Sequence, residues 1–198
     1  MSKFSDFKSQ FIEMFGNAPR RPLKEVVMRS GEYGSNTSAT DYDGETRYVR
    51  ITDITEEGLL NELMASPSSI DDKYLLGTDN MIFARTGNTV GKTYLHKSGR
   101  MIFAGYLIRY KTNELMLPQF LFSFTHMAEY YHWVEKTKKV GAQPNISATQ
   151  YDNMPVPVPP IEDQRRFATI AQQADKSKFE LKKCIENIDK VIKSLING

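Results

Sequence analysis

From Ile161 onward the chain is governed by one period. Phe167, Ala174, Leu181, Ile188 and Leu195 fall seven apart, and Ile170, Cys184 and Val191 fill most of the positions between them, with Ser177 the exception. Apolar residues recurring at a mean spacing of 3.5 mark a coiled-coil seam rather than the broader stripe of a surface helix. A helix of that extent reaches on the order of 50 Å, and such a seam has to be covered by a partner helix. Three partners are open: a short helical stripe at the N-terminus, a second copy of the chain, or another protein.

The remainder reads as one compact unit. Its N-terminus, "SKFSDFKSQFIEMFG", carries Phe4, Phe7, Phe11 and Met14 on one helical stripe, with Gly16 as the stop. A long middle region holds strand-like runs, "TRYVRITDI", "NMIFART" and "GRMIFAGYLIRYK", divided by polar stretches rich in Gly, Ser, Asn and Asp. One helix interrupts it: "LPQFLFSFTHMAEYYHWVEK" sets Pro118 in a first turn and Leu121, Phe124, Met127 or Ala128, and Tyr131 on one core-facing side. Ser147 and Gln150 have the spacing of a capping box, and the strip "PVPVPP" is an extended exit from the domain. The expected fold class is therefore α+β: an N-terminal helix over 1–16, a mostly β domain with a few helices over 17–158, and a long coiled-coil helix over 159–198.

Bulk properties exclude several classes. The 198 residues, 40% apolar and 25% charged, have ordinary globular composition, and a net charge of +2 leaves nucleic-acid binding to the distribution of positive groups rather than their total. Cys184 is the single cysteine, which rules out an internal disulfide framework and a cysteine-based zinc site. His96, His126 and His132 share no metal-ligand spacing. No run of 18 apolar residues and no signal-peptide core is present, so the expectation is a cytoplasmic protein without a membrane partner.

The stretch "IFARTGNTVGKTYL" tests whether the chain holds a nucleotide. A phosphate-binding loop needs a glycine five positions before Gly91, where Thr86 stands, and it must open a helix, whereas "TYLHKSGRMIFAGYLIRY" alternates, turns at Lys97-Ser98-Gly99 and alternates again. A glycine-shaped hairpin turn fits instead, with Gly87 and Gly91 setting the backbone. No glycine-rich S-adenosylmethionine loop, no Asn-Pro-Pro-Tyr or Asp-Pro-Pro-Tyr tetrapeptide and no Ser-His-Asp arrangement occurs. Glu180-Leu181-Lys182 lacks a partnering Pro-Asp and reads as solvated helix charge.

What remains are polar loops. The segment "RSGEYGSNTSATDYDGETRYVR" mixes Arg29, Tyr33, Asn36, Arg47 and Arg50 with small hydroxyl residues; the hairpin tip offers Arg85, Thr86, Asn88 and Lys92; Lys136, Lys138 and Lys139 cluster near Trp133. These residue types read base edges and grip phosphates, and equally furnish ordinary solvated loops.

The ordered set "YGSNTSA…YVRITDITEEG", "DNMIFARTGNTVGKTYL" and "VGAQPNISATQYDNMPVPVPPIEDQRRFATI", followed by a heptad helix, resembles the specificity subunit of type I restriction-modification systems over nearly the whole chain. "KSQFIEMFG" is similar to the closing turns of that family's preceding helix. The resemblance implies a non-catalytic protein whose target-recognition domain reads half of a bipartite sequence in double-stranded DNA. Its long helix would dock methyltransferase subunits. S-adenosylmethionine would sit on those subunits, and ATP and magnesium on a restriction subunit, with no cofactor on this chain. Complete members carry two such units; this chain has one, so a homodimer formed through the helix, by Phe167, Ile170, Ala174, Leu181, Cys184, Ile188, Val191 and Leu195, is expected to read a spaced palindrome. The expected DNA contacts are Tyr33, Ser35, Asn36, Arg50, Arg85, Thr86, Asn88 and Lys92, with Gln143-Pro144-Asn145 a latch between domain and arm or a further DNA contact. Two alternatives stand beside this: a coiled-coil assembly or inhibitory protein that binds methyltransferase subunits without specific DNA recognition, and a nuclease or methylase with an unrecognised site.

Overall fold

The structure, a computed structural model, describes residues 3–138 and 143–196. Its fold is mixed α/β, with five helices among the described residues: α1 (Lys3–Phe15), α2 (Pro118–Phe124), α3 (Ala128–Thr137), α4 (Ala148–Asp152) and α5 (Ile161–Ile196). The strands are short: β1 (Arg20–Pro22), β2 (Glu32–Tyr33), β3 (Ala39–Asp41), β4 (Arg47–Val49), β5 (Ala65–Pro67), β6 (Met81–Ala84), β7 (Thr93–Leu95), β8 (Met101–Phe103), β9 (Leu107–Tyr110) and β10 (Pro155–Pro157).

A four-stranded sheet in the order β2-β9-β6-β7 organises the domain, and all its pairings are antiparallel. β6 is buried along its whole length, as an interior strand of uninterrupted apolar residues must be. Met81 and Phe83 turn to the larger core beneath α2 and α3, while Ile82 and Ala84 turn to a second core under β4 and β8, the alternation a strand imposes. Three two-stranded ladders complete the β structure: β1-β10, β3-β5 and the parallel pair β4-β8.

The run expected as one strand over Gly99–Lys111 is two. β8 joins β4 and β9 joins β6, because the chain turns at Gly105, where the Leu107 N–H donates to the Ala104 carbonyl at 2.9 Å. A Cβ on Gly105 would meet the amide end of the exposed Asn36 side chain, which glycine leaves room for beside the turn. Likewise β7 and β8 flank the Lys97-Ser98-Gly99 turn without pairing with each other.

The long helix expected over 117–136 is broken. α2 ends at Phe124 and α3 starts at Ala128, with Thr125 Oγ1 and His126 Nδ1 both at 2.8 Å from the Phe122 carbonyl; side chains competing for helix carbonyls end the ladder there. The break rotates α3, so Tyr130 and Val134 face the core, while Tyr131 is half-buried and Ala128 is exposed. Pro118 does occupy the first turn. At the N-terminus Phe11 and Phe15 face the core and Met14 is exposed, a one-residue shift from the expected stripe; the side chains of Phe4 and Phe7 lie outside the described residues. The proline strip turns back onto the domain as β10, paired with β1.

α5 runs for 36 residues. Its first turns pack on the domain through Gln164, Phe167 and Ala171, all buried, whereas Ile170 is only half-buried. Gln164 donates to the Leu115 and Pro159 carbonyls and accepts from the Leu117 N–H, each at 2.9 Å. Continuing the 164, 167, 171 column by alternating steps of three and four reaches Leu181, Ile185, Ile188, Ile192 and Leu195, which are 47–77% exposed. Only at the domain end is the phase set by contact, where Ala171 is buried and Ile170 half-buried; Cys184 and Val191 are exposed like Ile185 and Ile192.

Candidate nucleic-acid interface

In the order β2-β9-β6-β7, antiparallel pairing brings the end of β2, the start of β9, the end of β6 and the start of β7 to one edge of the sheet. Tyr33, Tyr106, Arg85 and Lys92 therefore emerge together. β4 and β8 run out beside them: the Ala104 N–H donates to the Val49 carbonyl at 2.9 Å, and the Gly105 N–H to the Ser35 carbonyl at 2.7 Å. Arg50 and Asn36 join the same end. Sequence positions from 33 to 106 are gathered by strand order alone.

The loop from Arg85 to Gly91 is closed and pinned. The Gly91 N–H donates to the Ala84 carbonyl at 3.0 Å, and the Ala84 N–H to the Lys92 carbonyl at 2.8 Å. Two buried phenols hold the two ends from below, Tyr151 donating to the Ala84 carbonyl at 3.0 Å and Tyr130 to the Gly91 carbonyl at 2.7 Å. Burial pushes both phenols above the ordinary tyrosine range, which keeps them protonated donors. Gly87 and Gly91 take positive φ, +68° and +91°, as a glycine-shaped hairpin turn requires. On the far side the Gly87 N–H donates to the Pro144 carbonyl and the Ile146 N–H to the Arg85 carbonyl, both at 2.9 Å, with a bridge between Thr86 and Asn145. The Pro144-Asn145 segment is thus a latch on the hairpin loop rather than on the arm. Behind it Ser147 and Gln150 form the capping box expected of α4.

The candidate side chains divide by what they already touch. Ser35 and Thr86 are buried, 7% and 5% exposed, and serve through their backbones. Arg50 grips Asp53 twice, Nε to Oδ2 at 3.1 Å and Nη2 to Oδ1 at 2.9 Å, and the bonded carboxylate raises the guanidinium's pKa. Lys92 pairs with Glu56 at 2.9 Å, its side chain 18% exposed. Asn36 and Asn88 are exposed. The Arg85 guanidinium lies over the Tyr33 ring, 4.8 Å from its centroid, and the Tyr33 hydroxyl accepts from the Ala148 N–H at 3.0 Å. Tyr106, 59% exposed, was not among the sequence candidates, because "GRMIFAGYLIRYK" reads as unbroken strand. Lys138 bonds Glu135 at 2.7 Å, and Trp133 stacks near Tyr151, so the expected basic cluster is partly committed to structure; Lys139 lies outside the described residues.

A rigid loop edge carrying aromatic and amide side chains and one stacked arginine has the form of a recognition surface. Among the described residues no group of three or more His, Cys, Asp or Glu is placed to hold a metal ion, and no helix is long and apolar enough to cross a membrane.

The family model for the type I restriction modification DNA specificity domain matches residues 20–190, and the chain belongs to that family. It is a family of DNA recognition rather than catalysis. Among solved structures the chain is similar to one described as giving the structural basis of complex assembly and conformational transition of the type I R-M system, at TM-score 0.71 and 15% identity over 98% of this chain and 49% of that one. It is similar to the HsdS subunit from Thermoanaerobacter tengcongensis (0.64, 16% identity, 92% and 45% covered) and to the type I restriction-modification S subunit from M. genitalium (0.56, 16%, 91% and 45%). At such identities the likeness is one of fold. The chain spans about half the length of each of these solved chains.

Proposed function

We propose that the chain is the DNA sequence-specificity component of a type I restriction-modification complex, reading one half-site in duplex DNA through the loops at the β2-β9-β6-β7 sheet edge. The observation that carries this reading is the specificity-domain match over residues 20–190, whose span contains every loop of that edge. The contacts are Tyr33, Asn36, Arg85 and Asn88 by side chain, and Ser35 and Thr86 through the backbone they hold. Arg50 and Lys92 engage phosphate only by leaving Asp53 and Glu56.

α5 supplies the second half of the function. Two copies pair through the exposed Leu181–Leu195 stripe, a two-fold assembly matching a spaced palindrome. The pair positions methyltransferase subunits, which bring S-adenosylmethionine, and a restriction subunit, which brings ATP and magnesium; the chain holds no cofactor and works in the cytoplasm.

One observation favours the second reading, a partner-binding coiled-coil protein without sequence preference: two of the candidate cations are already neutralised by carboxylates. Methylome sequencing of cells with and without the chain separates the two. The specificity reading expects a methylated motif that vanishes with the chain, and an identical methylome in both strains sinks it. The purified chain alone is expected to neither methylate nor cleave DNA.

A further inference from the structure

We propose that Arg85 is the guanine-reading residue of this surface, an assignment that rests on the DNA-specificity reading above. Arginines of the domain are mostly spent on the protein's own acceptors: Arg20 on Glu129, Arg29 and Arg109 on Glu32, Arg47 on the Asn61 carbonyl, Arg50 on Asp53 and Arg100 on Thr46. Arg85 differs. It is half-buried, and among the described residues its guanidinium has neither a hydrogen bond nor an ion pair; its Nε is a buried donor with no acceptor. A buried Nε–H without an acceptor costs the fold free energy, and the rest of the half-buried guanidinium is uncommitted, so its retention points to acceptors that come from outside.

Geometry selects the acceptor. The guanidinium lies over the Tyr33 ring, 4.8 Å from its centroid, and the ring is itself held by the Ala148 N–H on its hydroxyl. The backbone on both sides of Arg85 is clamped, its N–H donating to the Tyr106 carbonyl at 3.1 Å and its carbonyl accepting from Ile146 at 2.9 Å. A guanidinium fork stacked on a ring and rooted in a clamped backbone matches the paired O6 and N7 acceptors of guanine in the major groove, the commonest specific arginine contact; a phosphate can take the same fork, and the test below separates the two. Arg85 leaves the same sheet edge as the exposed Tyr106, whose carbonyl accepts its N–H.

The test compares Arg85→Lys and Arg85→Ala with the wild type in cells, reading the methylated motif by methylome sequencing, with chain abundance checked by immunoblot. Lysine keeps the charge and a phosphate grip but loses the fork. The expected result is a motif relaxed at one G·C pair in both variants, its other positions retained. A motif unchanged at every base, or methylation lowered uniformly with the motif intact, overturns the assignment and leaves the specificity reading standing; a wild type with no chain-dependent motif overturns both. Duplexes carrying 7-deazaguanine at the assigned position, which lack the N7 acceptor, supply the second measurement, using the chain with its methyltransferase subunits. Wild-type binding should fall on the order of 10- to 100-fold, and binding by the Arg85→Ala complex should be indifferent to the change; equal losses in both overturn the assignment.

Discussion

The rings of Phe11 and Phe167 meet edge to face with centroids 5.1 Å apart, joining the helix at one end of the sequence to the helix at the other. Phe15 and Phe120 close the same cluster, at 5.4 and 6.1 Å from Phe167. Because Phe167 is fully buried, Phe167→Ala is expected to cost about 3–5 kcal/mol. Urea denaturation measures it, and a loss below about 1 kcal/mol would show that α5 is not anchored here.

Farther along the same helix the expectation reverses. Ile188 is 57% exposed, so Ile188→Asp should leave the unfolding free energy of the monomer, measured at concentrations too low for pairing, within about 0.5 kcal/mol of wild type while abolishing self-association. Sedimentation velocity reads the second effect. If wild type and variant sediment alike as monomers, pairing through the stripe is wrong.

The ion pair between Lys92 and Glu56 neutralises a cation of the proposed interface. Glu56→Gln is expected to raise affinity for non-specific duplex DNA and steepen the dependence of log K on log salt by about 1. Anisotropy titrations over a range of salt concentrations test this. An unchanged slope would place Lys92 outside the DNA footprint.

Tyr130 and Tyr151 fix the two ends of the Arg85–Gly91 loop through buried phenols. Each Tyr→Phe change should cost about 1 kcal/mol and speed hydrogen exchange at the loop amides. If exchange at Gly91 and its neighbours is unaltered in both variants, other contacts hold the loop.

Burial holds the His96 imidazole below the ordinary histidine range, and its Nδ1 has no hydrogen-bond partner among the described residues. The native state thus favours the neutral ring. Its contribution to stability is present above the unfolded value of about 6.5 and is lost as pH falls through that value toward the folded one. The wild-type urea midpoint should drop between about pH 7 and about pH 5.5 more than that of His96→Gln. Parallel pH curves for the two proteins would contradict this.

Legibility in the sequence followed the range of the interaction. Periods, caps and turn glycines are local, so the Gln150 capping box, Pro118 at a helix start and the positive-φ glycines of the hairpin could be read directly. The Thr125–Met127 break could not, because it depends on side chains bonding a carbonyl inside an otherwise helical pattern. Tyr106 was hidden by a turn inside an otherwise strand-like run, closed by the Leu107 N–H on the Ala104 carbonyl. On the long helix the burial of Phe167 was legible from its period, whereas the sequence carries apolar residues in two interleaved columns, and contact with the domain at Ala171 favours one of them over the first turns only. At the candidate interface the commitments of the side chains were not legible: nothing in the sequence distinguishes Arg50, bound to Asp53, from Arg85, which has no acceptor among the described residues.

The ladder of β1 with β10 pairs Pro22 with Pro155 and Arg20 with Pro157. Proline has no N–H to offer, so three of the six paired positions lack the donor that an added strand would seek. A two-stranded ribbon is ordinarily a template for intermolecular strand addition; this one is chemically muted at the root of the arm. Crowding of two copies near that point would then meet helix against helix without a competing route through sheet growth.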